Sequence, residues 1–184
     1  MRCWYPGARG SYLTPIVAVV LATTLSAVPA SAEITQNDML VAGRAIGFIN
    51  NLPRGEVRVG IVYDPGVTQS SQQAAELGAL MRNGLRIGGL TLVPVMVTIG
   101  NFEGNGVALY FLTEGVGAAA GKVGRASRER KISCVTFDLN QVRSGACVIG
   151  VQSRPRIEVI VNRAAAQASG TILSAVFRMM ITEI

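Results

Sequence analysis

The chain has 184 residues, with 17 lysines and arginines against 11 aspartates and glutamates, a net charge of +6, and no histidine. Without histidine, the commonest pH-neutral general base and the commonest nitrogen ligand for metals are both missing. The basic excess attracts anionic surfaces and acidic partners, but the cations are scattered and not interleaved with aromatics, which argues against a nucleic-acid reader.

Residues 1–32 read as a leader. Arg2 and Arg9 form a basic head, an apolar stretch runs from Leu13 to Val28, and Ala30-Ser31-Ala32 supplies small residues at a cleavage point. That is the plan of a secretory signal peptide, cut after Ala32. The stretch is broken by Pro15, Thr23, Thr24 and Ser26, short for the ~20 apolar residues of a membrane span; an uncleaved anchor is the alternative. Cys3 precedes the apolar stretch, which does not suit a lipoprotein cysteine. The mature chain, 33–184, is expected in the periplasm, is the length of one domain, and carries +4 once Arg2 and Arg9 are gone.

Thr35-Gln-Asn-Asp38 is a variant capping box, and Met39, Ala42, Ile46 and Ile49 recur at helical spacing. This helix is expected to stop at Asn50-Asn51-Leu52-Pro53. Val57–Tyr63 reads as a buried strand turned by Asp64-Pro65-Gly66. Ser70 or Ser71 is expected to cap a second helix, with Ala74, Leu77, Leu80 and Met81 inward and Asn83-Gly84 at its end. Leu90–Thr98 is a second strand, and Pro94, lacking an amide donor, places it at an edge or a bulge. Asn101–Gly106 is a loop, Val107–Leu112 a third strand, Val116–Arg130 a helix weakened by glycine, and Lys131–Phe137 a fourth strand. Leu139–Arg143 forms a short helical turn.

Cys147–Val151 and Ile157–Val161 are two β-branched runs separated by Ser153-Arg154-Pro155-Arg156, the pattern of a hairpin. Asn162 is a good N-cap for a helix over Arg163–Ser169, and Gly170 is placed to end it. Ser174 caps a last helix, with Val176, Phe177, Met179 and Met180 on its buried side. The reading is an α/β fold: a single layered domain with a largely parallel sheet flanked by helices, and a C-terminal β-hairpin followed by helices.

Cys134 and Cys147 are the two cysteines of the mature chain. In an exported protein such a pair is a disulfide candidate; the other reading is two small buried hydrophobes in neighbouring strands. Two thiols are too few for zinc. The stretch Glu114–Lys122 (EGVGAAAGK) opens a helix after a strand, where free amides hold anions. It misses the P-loop, because only three residues separate Gly117 from Gly121 and Val123 replaces the hydroxyl. It also misses the dinucleotide fingerprint by one residue, although Asp138 ends the next strand where a ribose-binding acid sits. A glycine-rich turn with close helix–sheet packing is the simpler account, so no cofactor is expected. Asp64 lies at a strand end, where open sheets place ligands, or it only stabilises its turn. No nucleophile–base or metal motif occurs, and the chain is read as a non-enzyme.

The hairpin strand, then Asn162, Ala166 and Gly170 at four-residue intervals, then Phe177 and Met179-Met180, resembles the YfiR-type family of periplasmic regulators. The helix and strand of Met39–Tyr63 are similar as well. Many members have Trp-Pro before the first strand; here the site is Leu52-Pro53. The resemblance implies a regulator that restrains an inner-membrane diguanylate cyclase, and so cyclic-di-GMP signalling, by binding its periplasmic part. It implies a disulfide in some members, and it puts partner contact at Leu52 and Pro53. A second copy of the chain is the other candidate partner.

Val59–Pro65 (VGIVYDP) also resembles the first strand and turn of periplasmic solute-binding proteins of ABC importers. The mature chain has room for one lobe of such a clamp, and a single-lobe solute-binding protein is the alternative function.

Overall fold

The computed structural model describes residues 1–4, 33–101 and 106–184. The chain divides into two units, Met1–Ala30 and Ser31–Ile184, and the second holds every described helix and strand. The leader's apolar stretch, its cleavage point and most of the loop at 101–106 lie outside the described residues.

Helix α1 (Gln36–Gly47) starts on the capping box. The Thr35 hydroxyl accepts from the Asp38 amide, and the Asp38 carboxylate accepts from the Thr35 amide. Met39, Ala42 and Ile46 are buried. The helix ends before Asn50 because Phe48, Asn50 and Asn51 are all engaged by the C-terminal segment. Phe48 stacks on Phe177 with ring centroids 4.7 Å apart. The Asn50 amide donates to the Ile172 carbonyl at 2.7 Å, and the Asn51 side chain accepts from the Ile172 amide at 3.0 Å.

Strand β1 (Gly55–Tyr63) leads to α2 (Thr68–Met81), β2 (Leu85–Ile87), β3 (Leu90–Thr98) and β4 (Leu109–Leu112). A 3-10 turn at Gly117–Ala119 opens α3 (Ala120–Arg130), followed by β5 (Ser133–Thr136), α4 (Leu139–Arg143), β6 (Ile149–Gln152) and β7 (Glu158–Val161). Helices α5 (Arg163–Ser169) and α6 (Ala175–Arg178) and strand β8 (Thr182–Glu183) complete the chain. The fold is the expected α/β arrangement.

One sheet runs in the order β2-β3-β1-β4-β5-β6-β7-β8. From β3 to β6 all neighbours are parallel; β2 is antiparallel to β3, and β7 to β6. Because β7 runs back, it ends where the parallel strands begin, and α5, α6 and β8 lie at that amino end. Beyond its pairing with β2 at Leu90–Leu92, β3 is an edge, and Pro94 sits in that open stretch, where no second partner needs its missing donor.

The strands are apolar on both sides because both sides are covered. Val57, Val59, Ile61, Leu109 and Phe111 pack with the buried residues of α1 and α2. Val62, Tyr110, Leu112 and Cys134 pack with Val123 of α3 and Val142 of α4. Cys134 and Cys147 form a disulfide with Cα atoms 4.7 Å apart, inside the usual bridging range. The bridge joins β5 to the residue two before β6, where the Val148 amide already donates to the Cys134 carbonyl at 2.9 Å.

Several local expectations need correction. Neither Ser70 nor Ser71 caps α2, whose first residue is Thr68 and whose N-cap, Val67, makes no side-chain bond. Lys131 is not in β5. It ends α3 in the left-handed conformation (φ 57°), so the strand starts two residues later. The close approach expected at the glycine-rich turn falls instead at Gly124, against the loop before β6 and not against a strand: a Cβ there would come within 3.0 Å of the Ala146 backbone, whereas a Cβ at Gly121 would meet nothing within 4 Å. Of the four residues expected on the buried side of α6, only Phe177 is buried; Val176, Met179 and Met180 are exposed. Phe177 takes the contact with Phe48, and one turn of helix cannot turn both its sides inward. Strands β2 and β8 add to the expected elements.

Candidate functional site

The order β3-β1-β4-β5-β6 carries the chain first to one side of β1 and then to the other. The switch falls between β1 and β4, and open α/β sheets bind ligands outside the carboxyl ends of the strands near such a point. Here those ends bring together Asp64, Thr113-Glu114, Thr136–Asp138 and Gln152-Ser153.

Their polar groups are bound to one another in a definite order. Ser70, buried in the first turn of α2, accepts from the Asp64 amide at 2.8 Å and lies 2.7 Å from the Thr113 hydroxyl. Thr113 donates to the Val62 carbonyl at 3.0 Å. The Glu114 amide donates to Gln73 Oε1 at 2.6 Å, and Gln69 donates to the Glu114 carboxylate at 3.2 Å. From the other side Gln141 donates to the Thr113 carbonyl at 2.9 Å and accepts from the Thr136 hydroxyl at 2.7 Å. Among the described residues no buried side-chain nitrogen or oxygen lacks a partner. The network fixes the strand ends of β1, β4 and β5 as one rigid floor, which a set of half-satisfied buried groups would not do.

Above that floor lies a cavity of about 490 Å³ bordered by Glu114, Asp138, Asn140, Arg143, Gln152 and Glu158. A second, of about 140 Å³, shares Glu114, Phe137 and Gln152 with it and reaches Asp38, Ser153 and Arg154. Arg143 donates to Asn140 Oδ1 at 3.3 Å. The wall therefore offers carboxylates, amides and a guanidinium, groups that bind and orient a polar solute.

Several of the acids have structural duties. Asp64 Oδ1 accepts from the Gly66 amide at 2.9 Å, closing its own turn. Asp138 caps α4 by accepting from the Asn140 amide at 2.9 Å through Oδ1 while lining the larger cavity. Asp38 is held by the hydroxyls of Thr35 and Ser153 and by Arg154. Burial alone would raise its carboxyl, but the bonds from Ser153 and Thr35, with the charge of Arg154, outweigh that and hold it below the ordinary carboxylate range. Among the described residues no group of three or more His, Cys, Asp or Glu is placed to hold a metal ion, and no helix is long and apolar enough to cross a membrane.

Asn162, Ala166 and Gly170 sit at the far end of the sheet. Asn162 caps α5 through a 2.9 Å bond from the Ala165 amide, Ala166 is buried, and Gly170 ends the helix at φ 68°. The helix itself accounts for all three. Leu52 is partly buried against the core and Pro53 is exposed; both precede β1 and so lie at the amino end of the sheet, away from the cleft. Sequence reasoning missed Gln69, Gln73 and Gln141. The available signal was Ser70 and Gln73, polar residues on the same helical face as Ala74 and Leu77, next to a strand end.

No protein-family model and no curated protein sequence matches the chain. Among solved structures, the ligand-free, open form of CD0873, a substrate binding protein with adhesive properties from Clostridium difficile, is similar in fold, with a TM-score of 0.56 at 14% identity. The match covers 77% of this chain but only 57% of that one.

Proposed function

We propose that this chain is a non-catalytic binding protein that captures a small polar solute in the cleft at the carboxyl ends of β4, β5 and β6. The observation that carries this reading is the position of the cleft. It lies beside the strand-order switch, on a fold shared with a substrate binding protein. The occupied state of Asp64, Asp138 and Asp38 fits binding better than proton transfer, since each is engaged by a cap, a turn or a partner. The resemblance to regulators of a membrane cyclase rests on the hairpin strand, on Asn162, Ala166 and Gly170, and on Phe177 and Met179-Met180; Asn162, Ala166 and Gly170 are structural in α5 and Phe177 packs on Phe48. The roles of Asn162, Ala166, Gly170 and Phe177 in the fold need no partner, so the solute reading is preferred.

The test is a thermal-shift screen of small polar solutes followed by calorimetry. A ligand at about 100 times its Kd raises stability by ~2.7 kcal/mol. Arg143→Ala should weaken binding with little change in the melting temperature of the free protein, and Gln152→Ala, which also removes a bond to the Arg154 carbonyl, should weaken binding at a small cost in melting temperature. Binding unaffected by both variants, or turnover of a solute by the purified chain, would overturn the proposal.

A further inference from the structure

We propose that the solute taken by the cleft is an amine of net positive charge that also carries one acidic group, the chemistry of a basic amino acid. This rests on the solute-binding reading above and adds the charge that the solute must bring. The chain as a whole is basic, with 17 lysines and arginines against 11 aspartates and glutamates. The wall of the larger cavity reverses that balance: Glu114, Asp138 and Glu158 stand against a single cation, Arg143. Two negative charges are therefore in excess beside the switch in strand order, where an open sheet takes its ligand.

The fold does not neutralise them. Among the described residues the ion pairs are made by Asp38 and Glu183, and none by these three carboxylates. The donors that meet Glu114 and Asp138 are uncharged amides, Gln69 at 3.2 Å and the Asn140 backbone at 2.9 Å. A neutral donor orients a carboxylate and leaves its charge in place. Neighbouring cations do not cancel the excess. Arg154 is engaged by Asp38 at 3.3 Å, and Lys122 and Arg156 line neither cavity. An amino group exposed by cleavage after Ala32 would stand beside Glu33, on the smaller cavity. The amino ends of α2 and α3 add partial charges that fade within a turn. Cations farther off are screened, since the Debye length is about 8 Å at physiological ionic strength.

An ammonium group suits this wall better than a hydroxyl does. It has three donors and no acceptor, and bonds from a charged donor to a carboxylate are about twice as strong as neutral ones. Phe137, half-buried and shared by both cavities, adds an aromatic surface that attracts a cation. Arg143 gives one bond to Asn140 Oδ1 at 3.3 Å. Its guanidinium has five N–H donors, so donors remain for a carboxylate on the same solute.

The experiment is titration calorimetry of the full chain with lysine, with cadaverine (lysine without its carboxylate), with norleucine (lysine without its side-chain amine), with succinate and with glucose. The expected result is that lysine binds most tightly, that succinate and glucose give no heat of binding, and that added salt weakens lysine. Glu114→Gln combined with Asp138→Asn removes the excess charge, yet keeps an acceptor for Gln69 and a cap for α4. This double variant should lower lysine affinity about tenfold or more. Arg143→Ala should weaken lysine and leave cadaverine no weaker. Succinate or glucose bound in place of lysine would overturn this inference and keep the solute-binding reading, whereas no binding by any solute, here and in the wider screen, overturns both. Equal affinity for lysine and norleucine, an undiminished double variant, or lysine and cadaverine responding alike to Arg143→Ala also overturns it. Circular dichroism checks that the variants fold, and the comparison of lysine with norleucine needs no variant.

Discussion

The Asn162 side-chain amide donates to the Val142 carbonyl at 2.9 Å. The same side chain accepts from Ala165 to start α5, so one residue fastens the end of β7 to the last turn of α4 while capping a helix. Asn162→Ala should lose both bonds and about 1–2 kcal/mol, measured from the urea midpoint at unchanged m. Asn162→Asp keeps the cap acceptor but not the donor, and should fall between. An aspartate variant as unstable as the alanine one would show that the bond to Val142 carries the effect.

Two glycines of α3 should respond in opposite directions. At Gly124 a methyl group would press on the Ala146 backbone, and Gly124→Ala should destabilise by roughly 1–3 kcal/mol as overpacking. At Gly121 nothing lies within 4 Å, and Gly121→Ala should stabilise by up to ~1 kcal/mol through helix propensity. Thermal melts of the pair decide this, and equal shifts would contradict the packing described.

Much of this fold is legible in the sequence because it is local. The capping box at Thr35, the cap at Asn162 and the left-handed end at Gly170 depend on residues within one turn, and the sequence displays them. Ser70 reads as a cap because its hydroxyl suits one; its true partners, the Asp64 amide and Thr113, are brought to it by the βα turn and by a neighbouring strand. Gln73 and Gln141 carry no local sign of their bridging role, since their value lies in the strand ends they join. For Met179 and Met180, spacing says which residues share a side, not which side faces the core. The pairing of β8 rests on two residues, too few to leave a periodic trace.

The Cys134–Cys147 bridge should contribute about 2–4 kcal/mol. Reduction, or Cys134→Ala with Cys147→Ala, should lower the melting temperature accordingly. Mass spectrometry of unreduced, alkylated protein should find both thiols protected, and alkylation of both in the native protein would count against the bond.

Asp38 gives the fold an acid-sensitive joint between α1 and the β6–β7 hairpin. Its carboxyl lies below the ordinary range in the folded protein, so its contribution is fully present above about pH 4 and is lost as pH falls through the folded value. Asp38→Asn should destabilise the protein at neutral pH and flatten the stability profile in acid. A profile identical to the parent's would rule this joint out.

The reversal at β7 has a practical corollary for anyone handling the molecule. Residue 184 is delivered to the opposite pole from the cleft, so a purification tag or surface anchor placed there should hold the protein with the cleft proposed to take a solute turned to the bulk. A fluorophore at Glu158, on the cavity wall, should respond to a captured solute, whereas one at Ile184 should stay silent. The two ends of one sheet are thus separately addressable by labelling chemistry.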